Sequence, residues 1–147
     1  MTGITRRQAA EAAAALFGAT ARQTHESRTY DPWEVMDREG KAWRFVYDAS
    51  IRGSRRLGLQ QVPTGDGVYK VEMNSPKLEY SELGKLQEVV RALRRAGAVV
   101  NESCGMHVHV DASRHTPRSL KNALSIMHSK EDILFKALNV NERRVER

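Results

Sequence analysis

The sequence predicts an α+β domain in which an antiparallel sheet carries helices on one of its faces. Three observations lead there. Segments of helical period and of strand period follow one another in the order α-β-β-β-α-β-α. Two of the strand segments are joined by a short turn, as in a hairpin. No internal repeat or low-complexity segment interrupts the 147 residues.

Each element has a local reason. Thr5 and Gln8 form a capping box, with Ile4 before them as a staple. Ala9, Ala13, Leu16 and Phe17 then recur at helical spacing until Gly18 stops the first helix. Trp33–Met36 and Ala42–Asp48 read as the hairpin, turning at Asp37-Arg38-Glu39-Gly40. In its second strand Trp43, Phe45 and Tyr47 share one face and leave Arg44, Val46 and Asp48 on the other. Residues 51–68 show no period and hold several glycines, so a long mobile loop is expected.

A strand follows at Tyr69–Asn74, apolar at Tyr69, Val71 and Met73, polar at Lys70, Glu72 and Asn74, and ended by Ser75-Pro76. The second helix spans about Glu82–Ala96, capped by Ser81 and closed by Gly97, with Leu83, Leu86, Val90 and Leu93 inward. Ala98–Asn101 and Gly105–Asp111 read as short strands. Thr116-Pro117 opens a third helical region that reaches Leu138 with a break at Ser129.

Composition narrows the class. Charged residues at 29% and apolar residues at 40% describe a globular chain rather than a disordered tail. Cys104 is the single cysteine, so no internal disulfide forms and a reducing cytoplasm suits the chain. It reads as a small buried apolar residue, since a thiolate metal site would want a second cysteine. Arg6 and Arg7 before an alanine-rich run imitate a signal peptide, but Glu11 interrupts the run and Gln8 caps a helix. Nothing is long and apolar enough to cross a membrane. The net charge of +6 raises the question of nucleic acid. Its densest basic group, Arg52, Arg55 and Arg56, lacks interleaved aromatics, which argues against a stacking platform.

The chemistry concentrates in Gly105-Met106-His107-Val108-His109-Val110-Asp111. On a strand, His107, His109 and Asp111 project from one side and Met106, Val108 and Val110 from the other. If this strand shares a sheet with those bearing Asp48, Ser50 and Glu72, the polar face gathers carboxylates and imidazoles. Carboxylate oxygens with one imidazole suit Mg²⁺ or Mn²⁺ better than a structural zinc ion. Such an ion bridges nucleotide phosphates, and a second imidazole can donate to a phosphate oxygen. Each residue also has a plainer reading: Glu72 as a solvated strand residue, Asp48 as the start of a turn with Ser50 and Arg52. His25, His115 and His128 are isolated and read as surface or capping residues. There is no P-loop and no nucleophile elbow.

Asp48-Ala49-Ser50, Val71-Glu72-Met73-Asn74-Ser75-Pro76 and Asn101-Glu102-Ser103-Cys104 running into Gly105–Asp111 together resemble the bacterial amidoligase family. That family lies among the carboxylate–amine ligases with the glutamine synthetase and glutamate–cysteine ligase fold. The spacing and the helix at Tyr80–Gly97 match as well. Glutamine synthetases carry a similar Gly-Met-His-x-His segment, whose first histidine binds metal and whose second meets nucleotide phosphate. The resemblance implies His107 and Glu72 as metal ligands, His109 as a phosphate contact and Asp48 as a substrate- or metal-positioning catalytic group. Arg52, with Arg55 and Arg56, sits on a loop that could close over the anionic cofactor or substrate, or simply be solvated. The implied cofactors are ATP and Mg²⁺ or Mn²⁺, the partners a carboxylate and an amine.

Departures from the family shape a further expectation. Its members open with a strand carrying Glu-x-Glu, and the segment after it reads much like Thr2-Gly3-Ile4-Thr5-Arg6-Arg7, which here follows Met1 directly. They also continue past the third helical region, where this chain stops at Val145-Glu146-Arg147. Residues 1–147 are therefore expected to be a partial catalytic domain, weakly active or inactive. A missing strand would leave a sheet edge unpaired, favouring dimerisation, aggregation or disorder at the N-terminus. Two other classes compete: a non-catalytic nucleotide- or metal-binding remnant, and a metal-dependent amidohydrolase. The second carries His-x-His on an early strand of a barrel of usually ~250 residues, whereas the motif here comes late.

Overall fold

The computed structural model describes residues 1–25 and 29–140. The closing Val145-Glu146-Arg147, on which the expectation of a short far end rests, lies outside them. The chain divides into two compact units, Met1–Gly105 and Met106–Arg147. It is α+β, with antiparallel sheets and four α-helices among the described residues.

In the first unit, helix α1 (Arg6–Phe17) starts at Thr5, whose side chain accepts from the Gln8 N–H while Gln8 caps back. Gly18, at φ 67°, closes it. Both end signals act as their chemistry requires. The main sheet has four strands in the order β1 (Arg22–Gln23), β2 (Trp33–Met36), β3 (Ala42–Tyr47) and β6 (Val71–Asn74), all antiparallel. Val35 stands opposite Trp43, and Phe45 opposite Met73. Trp43, Phe45, Val35 and Val71 are fully buried on one face.

That face is covered by α1 and by α2 (Leu83–Arg95). Ala9, Ala10, Ala13 and Ala14 are all buried, so α1 meets the aromatic layer with methyl groups and can lie close. Phe17 adds a tilted contact to Trp43, with ring centroids 5.7 Å apart. Helix α2 is turned from its expected orientation. Val89, Ala92 and Leu93 are buried, whereas Leu83 and Val90 are exposed. Its start differs too. A 3₁₀ turn at Tyr80–Glu82 precedes it, capped by the reciprocal pair Glu79 and Glu82 rather than by Ser81. One turn of tighter helix shifts the phase of everything after it.

Two further expectations are corrected. Residues 51–68 are not a structureless loop: β4 (Ser54–Leu57) and β5 (Gln60–Pro63) form a second antiparallel hairpin. Its two-residue turn begins at Gly58, whose φ of 61° is the positive value such turns need. Neither strand carries the apolar alternation that would have revealed it. The beginning of the chain is also anchored rather than disordered. Met1 exchanges backbone hydrogen bonds with Val71, and Thr2 with Val99, at 2.7–3.0 Å. The buried Thr2 hydroxyl bonds the Ser54 backbone at 2.7 and 3.0 Å.

The hairpin turn and α2 are fastened by charge. Asp37 is buried, accepts from the Lys41 N–H at 2.8 Å, from Trp43 Nε1 at 3.2 Å and from Lys85 Nζ at 3.0 Å. Lys85 also reaches Glu39, and Lys41 reaches Glu82 at 2.7 Å. Burial alone would raise the Asp37 carboxyl, but the Lys41 backbone, Lys85 and Trp43 outweigh it and hold the pKa below the ordinary value. Glu82 is drawn down to about 2 by the Glu79 backbone N–H and by Lys41. Lys85 is raised by Glu39 and Asp37.

The second unit contains α3 (Pro117–Ser129) and α4 (Glu131–Ala137). Thr116 and Ser119 make the expected capping box with Pro117 in the first turn, and the break falls after Ser129 as expected. Residues 106–112 form no strand. A strand exists only through a ladder partner, and an alternating sequence cannot supply one.

Because Glu82 and Asp37 carry lowered pKa values, the unfolded chain takes up protons before the folded one. Their contribution to stability should be complete above about pH 4.5, the unperturbed value for Glu82, and drain away as the pH falls toward about 2. Urea midpoints measured across that range should fall with pH. Glu82→Gln should flatten the decline, and an unchanged slope would remove these ion pairs from the account.

Candidate functional site

With one face of the main sheet packed under helices, the chemistry falls to the other. A row of polar side chains crosses it in register: Arg22 opposite Glu34, Glu34 opposite Arg44, Arg44 opposite Asn74. In the next row Val46 faces Glu72. Period-two alternation puts Glu72 and Asn74 here because Val71 and Met73 turn to the core. This is the face on which the sequence placed Glu72.

A shallow cavity of about 330 Å³ lies over these rows, lined by Tyr30, Pro32, Arg44, Val46, Tyr47, Glu72 and Asn74. The Glu72 and Asn74 side chains make no hydrogen bond or ion pair among the described residues. Arg44 is oriented by Glu34, Nε to Oε2 at 2.9 Å. Tyr47 stands at the rim beneath two cations, Arg6 at 5.7 Å and Lys70 at 6.0 Å from its ring centroid. The cavity thus combines a carboxylate, an amide and a guanidinium over a floor of Val46 and Pro32. Such a surface can take a polar ligand with both anionic and cationic contacts.

Asp48 is at the end of β3 but not in the cavity lining. Its Oδ1 accepts from the Ser50 N–H at 2.8 Å and the Ser50 hydroxyl at 2.7 Å. The turn reading of Asp48 therefore describes its local role. Arg52 is engaged as well, with Nη2 at 2.5 Å from Glu102 Oε1. Its backbone N–H donates to Ser103 Oγ at 2.9 Å, and its carbonyl accepts from Asn101 Nδ2 at 2.8 Å. Asn101 Oδ1 in turn accepts from the Ser103 N–H at 3.0 Å. Lys70 Nζ donates to the Ala49 carbonyl at 3.4 Å, just before β6. So within the first unit three stretches meet: Asp48–Arg52, the start of β6, and Asn101–Cys104. They are far apart in sequence, and only the first and the last turn on side-chain caps that local reading could find.

His107 and His109 lie in the second unit, exposed and outside any strand. Met106, Val108 and Val110 are exposed too, at 81%, 75% and 79%. The expected alternation between a packed apolar side and a polar side is not seen there. The expected single sheet bearing Asp48, Glu72, His107 and His109 is corrected accordingly: its strands run β1-β2-β3-β6 and stop. Among the described residues no group of three or more His, Cys, Asp or Glu side chains converges on one metal position. Sequence reading missed Arg44 and Asn74 as cavity residues. The alternation on β3 and β6 already placed both on the Glu72 face.

The family model described as "Putative amidoligase enzyme" matches residues 1–147. No curated protein and no solved structure matches the chain.

Since His107 and His109 make no packing or hydrogen-bond contribution among the described residues, replacing either by alanine should change stability by less than ~0.5 kcal/mol. Thermal and urea unfolding of both variants measure this. A loss of 2 kcal/mol or more would mean the imidazoles are buried in the folded chain.

Proposed function

The chain belongs to this amidoligase family, and on that premise we propose that it joins a carboxylate to an amine at the expense of ATP. The match over residues 1–147 carries the reading. The Glu72 carboxylate in the outer-face cavity, without a hydrogen-bond or ion-pair partner among the described residues, supports it. In this reading the domain has the glutamine synthetase type of fold and works in the cytoplasm.

The reaction has two steps. A carboxylate oxygen attacks the γ-phosphorus of ATP, giving an acyl phosphate and ADP. The amine nitrogen then attacks the acyl carbon, the C–O bond to phosphate breaks, and the amine proton passes to solvent with phosphate leaving. Neither step requires a covalent bond to the protein, so catalysis rests on positioning and on meeting developing charge.

A carboxylate with free lone pairs is the donor that Mg²⁺ and Mn²⁺ prefer, and Glu72 supplies one. Glu72 is proposed as a metal ligand of the first unit; in the second, His107 is proposed as a metal ligand and His109 as a donor to a phosphate oxygen. The bound ion supplies charge neutralisation across the nucleotide phosphates. Asp48 orders the turn that leads to Arg52, and Arg52 offers a guanidinium to anionic oxygens once it leaves Glu102. The amine and carboxylate are small molecules or peptide groups.

Manganese-dependent ATP binding tests the assignment. Glu72→Gln and His107→Ala should each weaken it at least tenfold, while the unfolding midpoint stays near that of the wild type. Equal binding by all three proteins would overturn the metal-ligand roles. Metal-dependent binding without amine-dependent ADP release would mark a nucleotide-binding domain without turnover.

A further inference from the structure

Among the described residues Arg44 is the one cation whose side chain lines the Glu72 cavity, and neither the family match nor the motif residues give it a role. It sits in the middle of the sheet face, on β3, with Asn74 directly opposite on β6 and Glu72 on the neighbouring diagonal. On antiparallel strands such a diagonal spans about 7–8 Å between backbones, within reach of long side chains. An arginine and a glutamate at that separation can hold two ends of one small ligand without closing on each other.

The guanidinium is oriented. Glu34 Oε2 takes the Arg44 Nε at 2.9 Å, and the Glu34 side chain is only 16% exposed against 48% for Arg44. The glutamate is therefore the packed, fixed member and the arginine the half-open one. Contact through Nε sets the plane of the fork, which is the geometry that matches carboxylate and phosphate oxygens. Beside it, Asn74 carries an amide with no partner among the described residues, able to donate to the same ligand. Tyr30 and Pro32, which precede β2, complete the lining beside it.

We propose that Arg44 is the oxyanion anchor of this cavity, binding a carboxylate or phosphate group of the ligand whose other end reaches Glu72, with Glu34 as its positioning residue. The inference rests on the reading of the outer-face cavity as the substrate site. It does not depend on Glu72 holding a metal.

The test uses the full chain, labelled for amide NMR and titrated separately with inorganic tripolyphosphate and with succinate. Saturable shifts should appear at the Val46 and Asn74 amides for at least one of the two. Arg44→Met should weaken that binding tenfold or more, and Arg44→Lys, which keeps the charge without the fork, should fall between. Glu34→Gln should weaken it less than Arg44→Met while leaving the spectrum dispersed. Dependence of tripolyphosphate alone on Arg44 assigns the anchor to nucleotide, and of succinate alone to the carboxylate substrate. No saturable shift at the cavity, or equal affinity for wild type, Arg44→Met and Arg44→Lys, would overturn the proposal. The same samples titrated with Mn²⁺ separate it from the ligase reading. If Glu72→Gln leaves Mn²⁺ broadening unchanged while the Arg44 dependence holds, the metal assignment fails and the anchor stands.

Discussion

The first unit depends on a buried arginine. Arg6 opens α1 with its side chain 6% exposed, and a charge so placed must be met by fixed partners. Asp31 meets it with both its carboxylate, at 2.5 Å, and its backbone carbonyl, at 3.1 Å. The Gly67 carbonyl takes a third bond at 2.6 Å. Asp31 holds a φ of 39°, which a non-glycine residue adopts only when its surroundings over-determine it. Gln23 Nε2 adds a further bond to its second oxygen at 2.6 Å. One guanidinium thus fixes the start of a helix, the approach to β2 two residues before it begins, and a 3₁₀ turn at Gly67–Tyr69 just before β6.

That arrangement reaches the site. Tyr30 and Pro32, which flank Asp31, line the cavity, and Tyr47 lies under Arg6 at its rim. Gly67 is held close to Tyr47, where a side chain's first carbon would come within 3.3 Å of the ring. At the other end of the β2–β3 hairpin, Asp37 and Lys85 do comparable work, joining the turn to the first turns of α2. Both networks place charge at the ends of the hairpin. The middle of its inner face is left to Trp43, Phe45 and Val35, where apolar burial is the driving term.

How much of this was legible follows from where each signal resides. Thr5 with Gln8 and Thr116 with Pro117 lie within one helical turn of the residues they cap, and both helices begin there. The hairpin at Asp37–Gly40 declared itself the same way, and Asp37 also caps its own turn. The phase of α2 was misread because the 3₁₀ turn before it carries no periodic mark. The β4–β5 hairpin escaped because an exposed two-stranded ribbon needs no apolar alternation. The alternation at Gly105–Asp111 misled for the opposite reason: it is compatible with a strand but cannot provide the ladder. Arg6 was invisible as a buried residue, since its partners lie 25 and 61 positions away. Of the candidate site, the face of Glu72 was readable from β6 alone. The Arg52–Glu102 and Asn101–Arg52 contacts belong to the tertiary structure.

The one-sidedness of the sheet decides how function can be separated from folding. On the inner face a truncation such as Trp43→Ala removes both transfer energy and packing, so loss of activity there would say nothing about chemistry. On the outer face Glu72 and Asn74 have no hydrogen-bond or ion-pair partners among the described residues to lose, and Arg44 shares a half-exposed ion pair of the kind worth at most about 1 kcal/mol. Substitutions there leave the core and the Arg6 and Asp37 networks intact. A plain solvated strand residue and a ligand-binding one are both cheap to replace, so stability cannot tell them apart. Only ligand binding can, and the geometry of this face makes that measurement interpretable for Glu72 and Arg44.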